Sequence, residues 1–317
     1  MAPTALLLAF ALALCVGAAG WPDEQLLALR LPRALLAVVV GAGLAATGTV
    51  LQALSGNPLA DPFVLGASSG AAVGVVVARW CGIEFTSRWI ALFSVVGAYL
   101  AIAVVLRIAR TGRRTPVQTL LLAGVTVSTL GTAIVLLYYS LRDEDAGKTM
   151  LYLMGSLAES DRGLLALAAA CVGLGIAAAW LAARALDAFA AGEATARHLG
   201  VDVERTKLAF CLLAAALVGV VVAVAGMIGF LGLIVPHVAR SLVGPLHRRL
   251  IPAAACAGGA FLLLADALAR TVAAPQELAI GAITALCGGP FFLLLLRRRA
   301  AERDPAPPAA GGRKERA

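Results

Sequence analysis

The sequence predicts an all-α, polytopic membrane protein with about ten transmembrane helices. Composition gives the first reason: 61% of the 317 residues are hydrophobic, only 14% are charged, and the mean hydropathy is +0.92. Soluble domains do not reach these values. The second reason is recurrence. Apolar runs of roughly 17 or more residues follow one another along the chain, each long enough to cross a hydrocarbon core of about 30 Å as a helix.

In order, the runs fall at 4–20, 34–54, 63–80, 89–109, 117–140, 164–183, 208–225, 228–241, 251–269 and 278–296. The first ends near "VGAAGW", which offers small residues for cleavage, but no basic region precedes it, so it reads as a span. Pro58 and Pro62 remove backbone donors and place a turn between the second and third runs. In the third run Gly66, Gly70 and Gly74 recur every fourth residue, a ladder that lets another helix approach closely. The run at 228–241 is short and poorly separated from its predecessor; merging the two leaves nine spans. Two connections are long. Residues 141–163 are polar, and residues 184–207 mix apolar and charged residues at helical spacing, with Gly192 and Gly200 as breaks. That second connection predicts one or two short amphipathic helices. A single domain covers 1–299, and the Pro-, Gly- and charge-rich residues 300–317 read as a disordered tail.

Lys and Arg set the orientation. With the N-terminus inside, 18 of the 26 basic residues lie in inner segments. The formal net charge of +8 therefore reflects topology, and nucleic acid is not needed to explain it. An even span count puts both termini on the cytoplasmic side.

Charged residues inside such a chain narrow the function. "DAGKTM" in the connection 141–163 imitates part of a phosphate loop, but the position for its first glycine is Arg142, and no strand precedes it. No nucleotide site is encoded. The six cysteines sit in or beside apolar runs with no CxxC pair, and three scattered histidines offer neither a metal cluster nor a nucleophile with its base, which argues against an intramembrane enzyme. Asp266, near one end of a span, is the one acid placed clearly within the apolar runs, with Arg270 four residues on as an ion-pair partner. A proton- or sodium-driven carrier usually places such groups at mid-membrane. In "GFLGLIVPHVAR" (229–240), Pro236 bends a short span, while His237 and Arg240 mark its inner end. Arg30 and Arg33 in "LRLPR" lie just before the second span, against the charge bias. They read either as lipid anchors or as a docking site for an acidic surface. The Gly/Ala-rich stretches "GAGLAATGTVLQAL" and "ALVGVVVAVAGMI" each run into a proline-interrupted segment, as inverted halves of transporters do.

Several motifs in order carry a resemblance: "LRLPRALLAVVVGAGLAATGTVLQALSGNPLADPFVLGASSGA", "LLLAGV" at 120–125, "GEATARHLGV" at 192–201, and "GMIGFLGLIVPHVAR" through "ELAIGAITALCGGPFFLLLL". The chain resembles the FecCD-type permease subunits of bacterial ABC importers for iron-siderophores, haem and cobalamin, over nearly its whole length beyond the first span. That resemblance implies a type II importer fold and a multi-pass subunit in the bacterial inner membrane. It also implies a second permease subunit (a homodimer or close heterodimer), two cytoplasmic ATPases that use ATP and Mg, and a periplasmic or lipid-anchored binding protein. This chain itself would hold no cofactor or metal. Residue by residue, Arg30, Arg33 and Arg270 match arginines that receive the binding protein. Gly192, Glu193, Arg197, Leu199 and Gly200, within the inner segment 186–203, match the region that couples to the ATPases. Asn57 and Leu59 match an inner gate, and Gln118 and Thr119, in the turn before "LLLAGV", a second gate whose polar sequence departs from the family pattern.

Overall fold

The computed structural model of the protein describes residues 2–15, 24–58, 60–112, 115–141, 154–157, 161–274 and 276–303. Among these the regular elements are twelve helices: α1 (Ala2–Cys15), α2 (Glu24–Ser55), α3 (Ala67–Trp80), α4 (Arg88–Ala109), α5 (Val117–Leu141), α6 (Arg162–Leu181), α7 (Ala183–Ala190), α8 (Glu193–His198), α9 (Val203–Ala225), α10 (Leu231–Val243), α11 (His247–Thr271) and α12 (Ile280–Arg303). Six of them, α2, α4, α5, α6, α9 and α11, are long and apolar enough to cross a membrane. Shorter apolar helices, α1, α10 and the first part of α12, accompany them. With the 14-residue α3 they account for the ten apolar runs of the sequence.

Helix ends depart from the sequence expectations for local reasons. The second span begins at Glu24, ten residues before the expected 34, so Arg30, Pro32 and Arg33 lie inside α2 and not ahead of it. Their charges interrupt the apolar run but find partners within the bundle. The third begins at Ala67 because Gly66, with φ 81°, turns the chain there. Gln118 and Thr119 sit in the first turn of α5, not in the turn before it. The last helix runs to Arg303, so the expected tail at 300–317 starts as helix, and 304–317 lie outside the described residues. So do Leu59 and the "DAGKTM" stretch.

In lipid there is no hydrophobic force between helices, so close van der Waals contact must hold the bundle together. The central helix α2 packs on α1, α6, α7, α9, α10 and α11, and α4 packs on α3, α5 and α9. Small residues permit this. Gly41 of α2 abuts Gly258 of α11, and Gly48 abuts Gly232 of α10. Gly70 and Gly74 of α3 lie against Gly97 and Phe93 of α4, whereas Gly66, the third member of the ladder, faces Val127 and Gly124 of α5 from its turn. Two apolar cores result. One joins α1, the first half of α2, α6, the end of α9, α10 and α11; the other joins the second half of α2 to α3, α4, α5, α7 and the start of α9.

Candidate functional site

Between α2 and α3 the chain makes short turns instead of a helix. Ala60 N–H donates to the Asn57 carbonyl at 3.1 Å, and Val64 N–H to that of Asp61 at 3.0 Å. The Asp61 carboxylate accepts from Phe63 N–H at 2.9 Å, and Ser128 of α5 donates to the Phe63 carbonyl at 2.6 Å. The turn is thus pinned to α5 and leans on the start of α10, where Pro62 and Asp61 face Gly232. Beside it lies an apolar cavity of about 580 Å³, lined among others by Phe63, Met154, Met227, Phe230 and Phe292. Asp61 is its one titratable lining residue among those described. No basic side chain pairs with Asp61 among the described residues, and burial pushes its carboxyl up to about 6.

Three segments close the far wall of that cavity. Ser156 N–H donates to the Ala225 carbonyl, while Ile280 and Gly281 donate to the carbonyls of Gly155 and Met154, all at 3.0 Å. The start of α10 forms the remaining side. Pro236 has no N–H, so the Gly232 carbonyl lacks its helical partner. Gln52, buried in α2, replaces it: its Nε2 lies 3.2 Å from that carbonyl and 3.3 Å from the carbonyl of Leu233. The proline that interrupts "GLIVPHVAR" is therefore matched by an amide from 180 residues earlier in the chain. His237, one residue on, meets the Phe291 ring edge-on with centroids 5.9 Å apart, so its ring packs against an aromatic.

One end of the bundle gathers the predicted arginines around an acid. Asp266, 1% exposed, lies 2.8 Å from Arg33 and 3.0 Å from Arg270. Arg33 also reaches Glu277 at 2.9 Å. Arg30 donates to the Leu14 carbonyl at 2.9 Å, and Arg270 to that of Ala13 at 3.2 Å, which binds the end of α1 to α2 and α11. The expected Asp266–Arg270 pair is present. Sequence reasoning missed Arg33 as the second partner of Asp266, 233 residues away, and Glu277, 45% exposed, as the second acid on Arg33.

At the other end, α11 begins roughly 28 Å from Asp266, at a rise of about 1.5 Å per residue. There the connection 184–207 folds into α7 and α8, separated at Gly192 (φ 105°) and ended at Gly200 (φ 82°), conformations that suit glycine alone. Asp187 of α7 accepts from His247 twice, at 2.9 Å from its backbone N–H and 2.7 Å from Nδ1. Glu193, the first residue of α8, turns inward to Lys207 Nζ at 2.7 Å. Arg197 and Leu199 stay exposed. Lys207 itself, 2% exposed, was not singled out by sequence reasoning, because a lysine beside a basic inner loop looks like any other. Gln118 is exposed and Thr119 and Asn57 half-buried.

Known proteins resemble this chain in sequence and in fold. Residues 5–298 match the model of the FecCD transport family. The hemin transport system permease protein HmuU of Yersinia pestis is 43% identical over 272 residues, covering 83% of this chain and 80% of that one. The cobalamin import system permease protein BtuC of Halobacterium salinarum is 43% identical over 265 residues, covering 83% and 71%. A solved inward-facing structure of a metal-chelate-type ABC transporter superposes with a TM-score of 0.84 at 30% identity, over 94% of this chain and 97% of that one. PsaBC of Streptococcus pneumoniae, at 16% identity and a TM-score of 0.60 over 87% and 95%, shares the fold. With its match running from end to end of the helical bundle, this multi-pass membrane protein belongs to the FecCD transport family.

Proposed function

We propose that the chain is the membrane-spanning subunit of an ATP-driven importer for a metal chelate of the haem, corrinoid or siderophore kind. The observation that carries this reading is the whole-chain likeness to haem and cobalamin permeases, joined to a folded α7–α8 segment whose side chains are bonded into the bundle. Two copies of the chain stand side by side. Two ATPase subunits, which use ATP and Mg, rest on α7 and α8 at the cytoplasmic face, where both termini also lie. A binding protein delivers substrate at the opposite face, to Arg30, Arg33 and Arg270. The apolar cavity beside Asp61–Val64 accepts the chelate, with Asn57, Leu59, Gln118 and Thr119 as the inner gate. Closure of the ATPase dimer moves α8, through Gly192, Glu193, Arg197, Leu199 and Gly200, and the bundle rocks so that the path opens to one side at a time.

Vesicles carrying the permease, its ATPase and its binding protein test this. Uptake of labelled haemin, cyanocobalamin or a ferric siderophore that needs internal ATP supports the reading; ATP-independent uptake refutes it. Asp61 beside the cavity favours a second reading, a proton-driven carrier. Uptake abolished by an uncoupler while ATP is held constant would select that one instead.

A further inference from the structure

Lys207, in the second turn of α9, has three ammonium donors and is almost wholly enclosed. Its Nζ lies 2.8 Å from the Thr115 carbonyl, 2.7 Å from Glu193 and 3.7 Å from Glu204. Glu204 in turn accepts from the Thr115 hydroxyl at 3.0 Å and from its N–H at 3.4 Å. All three polar groups of Thr115 are therefore held by this cluster. Pro116 follows, with its φ fixed by the ring, and its carbonyl already accepts from Leu120 N–H at 3.0 Å inside α5. Whatever moves Thr115 moves the first turn of α5, which carries Gln118 and Thr119.

We infer that Lys207 is a positioning residue that links the ATPase-facing helix α8 to the gate-bearing start of α5. The inference builds on the proposed function, in which α8 moves with the ATPases. Between glycines in left-handed conformations, α8 is a short rigid piece with a pivot at each end. Glu193 is its first residue, so displacement of α8 pulls on the lysine. A buried ammonium that loses its carboxylate is costly, so Lys207 follows Glu193 or draws Thr115 with it. Arg197 and Leu199, which face outward, receive the push; Glu193 passes it on. α5 and α8 have no substantial packing of their own, which makes this polar cluster the direct connection between them among the described residues.

The experiment uses the permease–ATPase complex with its native cysteines replaced by alanine and a Gln118→Cys reporter. The rate of labelling by a hydrophilic maleimide is compared in nucleotide-free and vanadate-trapped states. In the parent the two rates differ. With Lys207→Met they become equal, and Lys207→Arg, which keeps the charge and donors, restores the difference. Retention of the parent's difference in Lys207→Met overturns the inference, since a lysine with a merely structural role would lower thermal stability and leave the ratio alone. If Lys207→Met does not accumulate, Glu193→Gln weakens the same link while leaving Glu204 and Thr115 on the lysine; it reduces the difference, and an unchanged ratio again overturns the inference. Failure of the underlying reading is separate: the ATPase then does not co-purify, or Gly200→Pro in α8's terminal pivot leaves the parent's ratio intact, and both proposals fall together.

Discussion

The two ends of the bundle are built on one plan with the signs reversed. At one, a buried acid, Asp266, is shared by Arg33 and Arg270; at the other, a buried base, Lys207, is shared by Glu193 and Glu204. The elements they join differ. Asp266 ties α2 to α11, long helices that already pack along their length through Gly41 and Gly258. Lys207 ties the six-residue α8 to the lead-in of α5, elements with little other contact. The same charge chemistry thus serves as a staple in one place and as a linkage in the other. What decides between the two is how much packing surrounds the ion pair.

That contrast can be broken most severely at Asp266. Asp266→Ala leaves two enclosed guanidinium groups without their acid and should cost about 3–5 kcal/mol, seen as a lower unfolding temperature in detergent. A loss below about 1 kcal/mol would mean that the staple is no stronger than a surface pair. Asp61 supplies the opposite control, a buried acid with no base paired to it among the described residues. Its carboxyl is raised to about 6, so the fold loses stability as pH climbs from the ordinary carboxylate value of 3.8 through 6, and the cost is complete above that. Asp61→Asn should therefore stabilise the protein at pH 8, with the gain shrinking toward pH 4; a gain independent of pH would refute the cause.

Between the charged ends, a neutral contact sets the scale. Gln52→Leu should cost about 1–3 kcal/mol by orphaning the Gly232 carbonyl, and adding Pro236→Ala, which returns an N–H, should recover most of it. Additive losses in the double variant would show that the amide does not substitute for the missing helical bond. Glu193→Gln sharpens the comparison from the linkage side: Lys207 is enclosed and keeps only Glu204 as a charged partner, at 3.7 Å, so thermal stability should fall by about 1–3 kcal/mol while coupling suffers. Smallest in stability is Glu277→Gln, at less than about 1 kcal/mol, because its carboxylate is 45% exposed. It should nevertheless strengthen co-purification of the binding protein, most clearly at low salt, because Glu277 occupies the guanidinium that an incoming acid would take. Unchanged docking would remove Arg33 from the docking surface.

Much of the fold was legible along the chain. All ten apolar runs became helices, and the break at Gly192 divides the connection 184–207, expected to form one or two short helices, into two. The start of α3 moved for a local reason, the turn at Gly66, whereas that of α2 moved where distant partners intervened. α2 extends through Arg30 and Arg33 because Asp266, Glu277 and the α1 carbonyls accept their protons. Glu193, which matches the region that couples to the ATPases, pairs with Lys207, a partner no local pattern announces. Asp61, hidden among the prolines of "NPLADP", borders the cavity only because the turn leans on α10.

Sequence by itself determined the class, the run of apolar helices and the placement of small residues, since each follows from local apolarity and from spacing that repeats within a few turns. Only the tertiary structure decided which charges are enclosed and with whom. The enclosed charges meet groups brought in from other segments, and the partners here are 233 residues apart for Arg33 and Asp266, and 92 for Lys207 and the Thr115 carbonyl. No local pattern records such meetings; the packing of glycine against glycine brings them about.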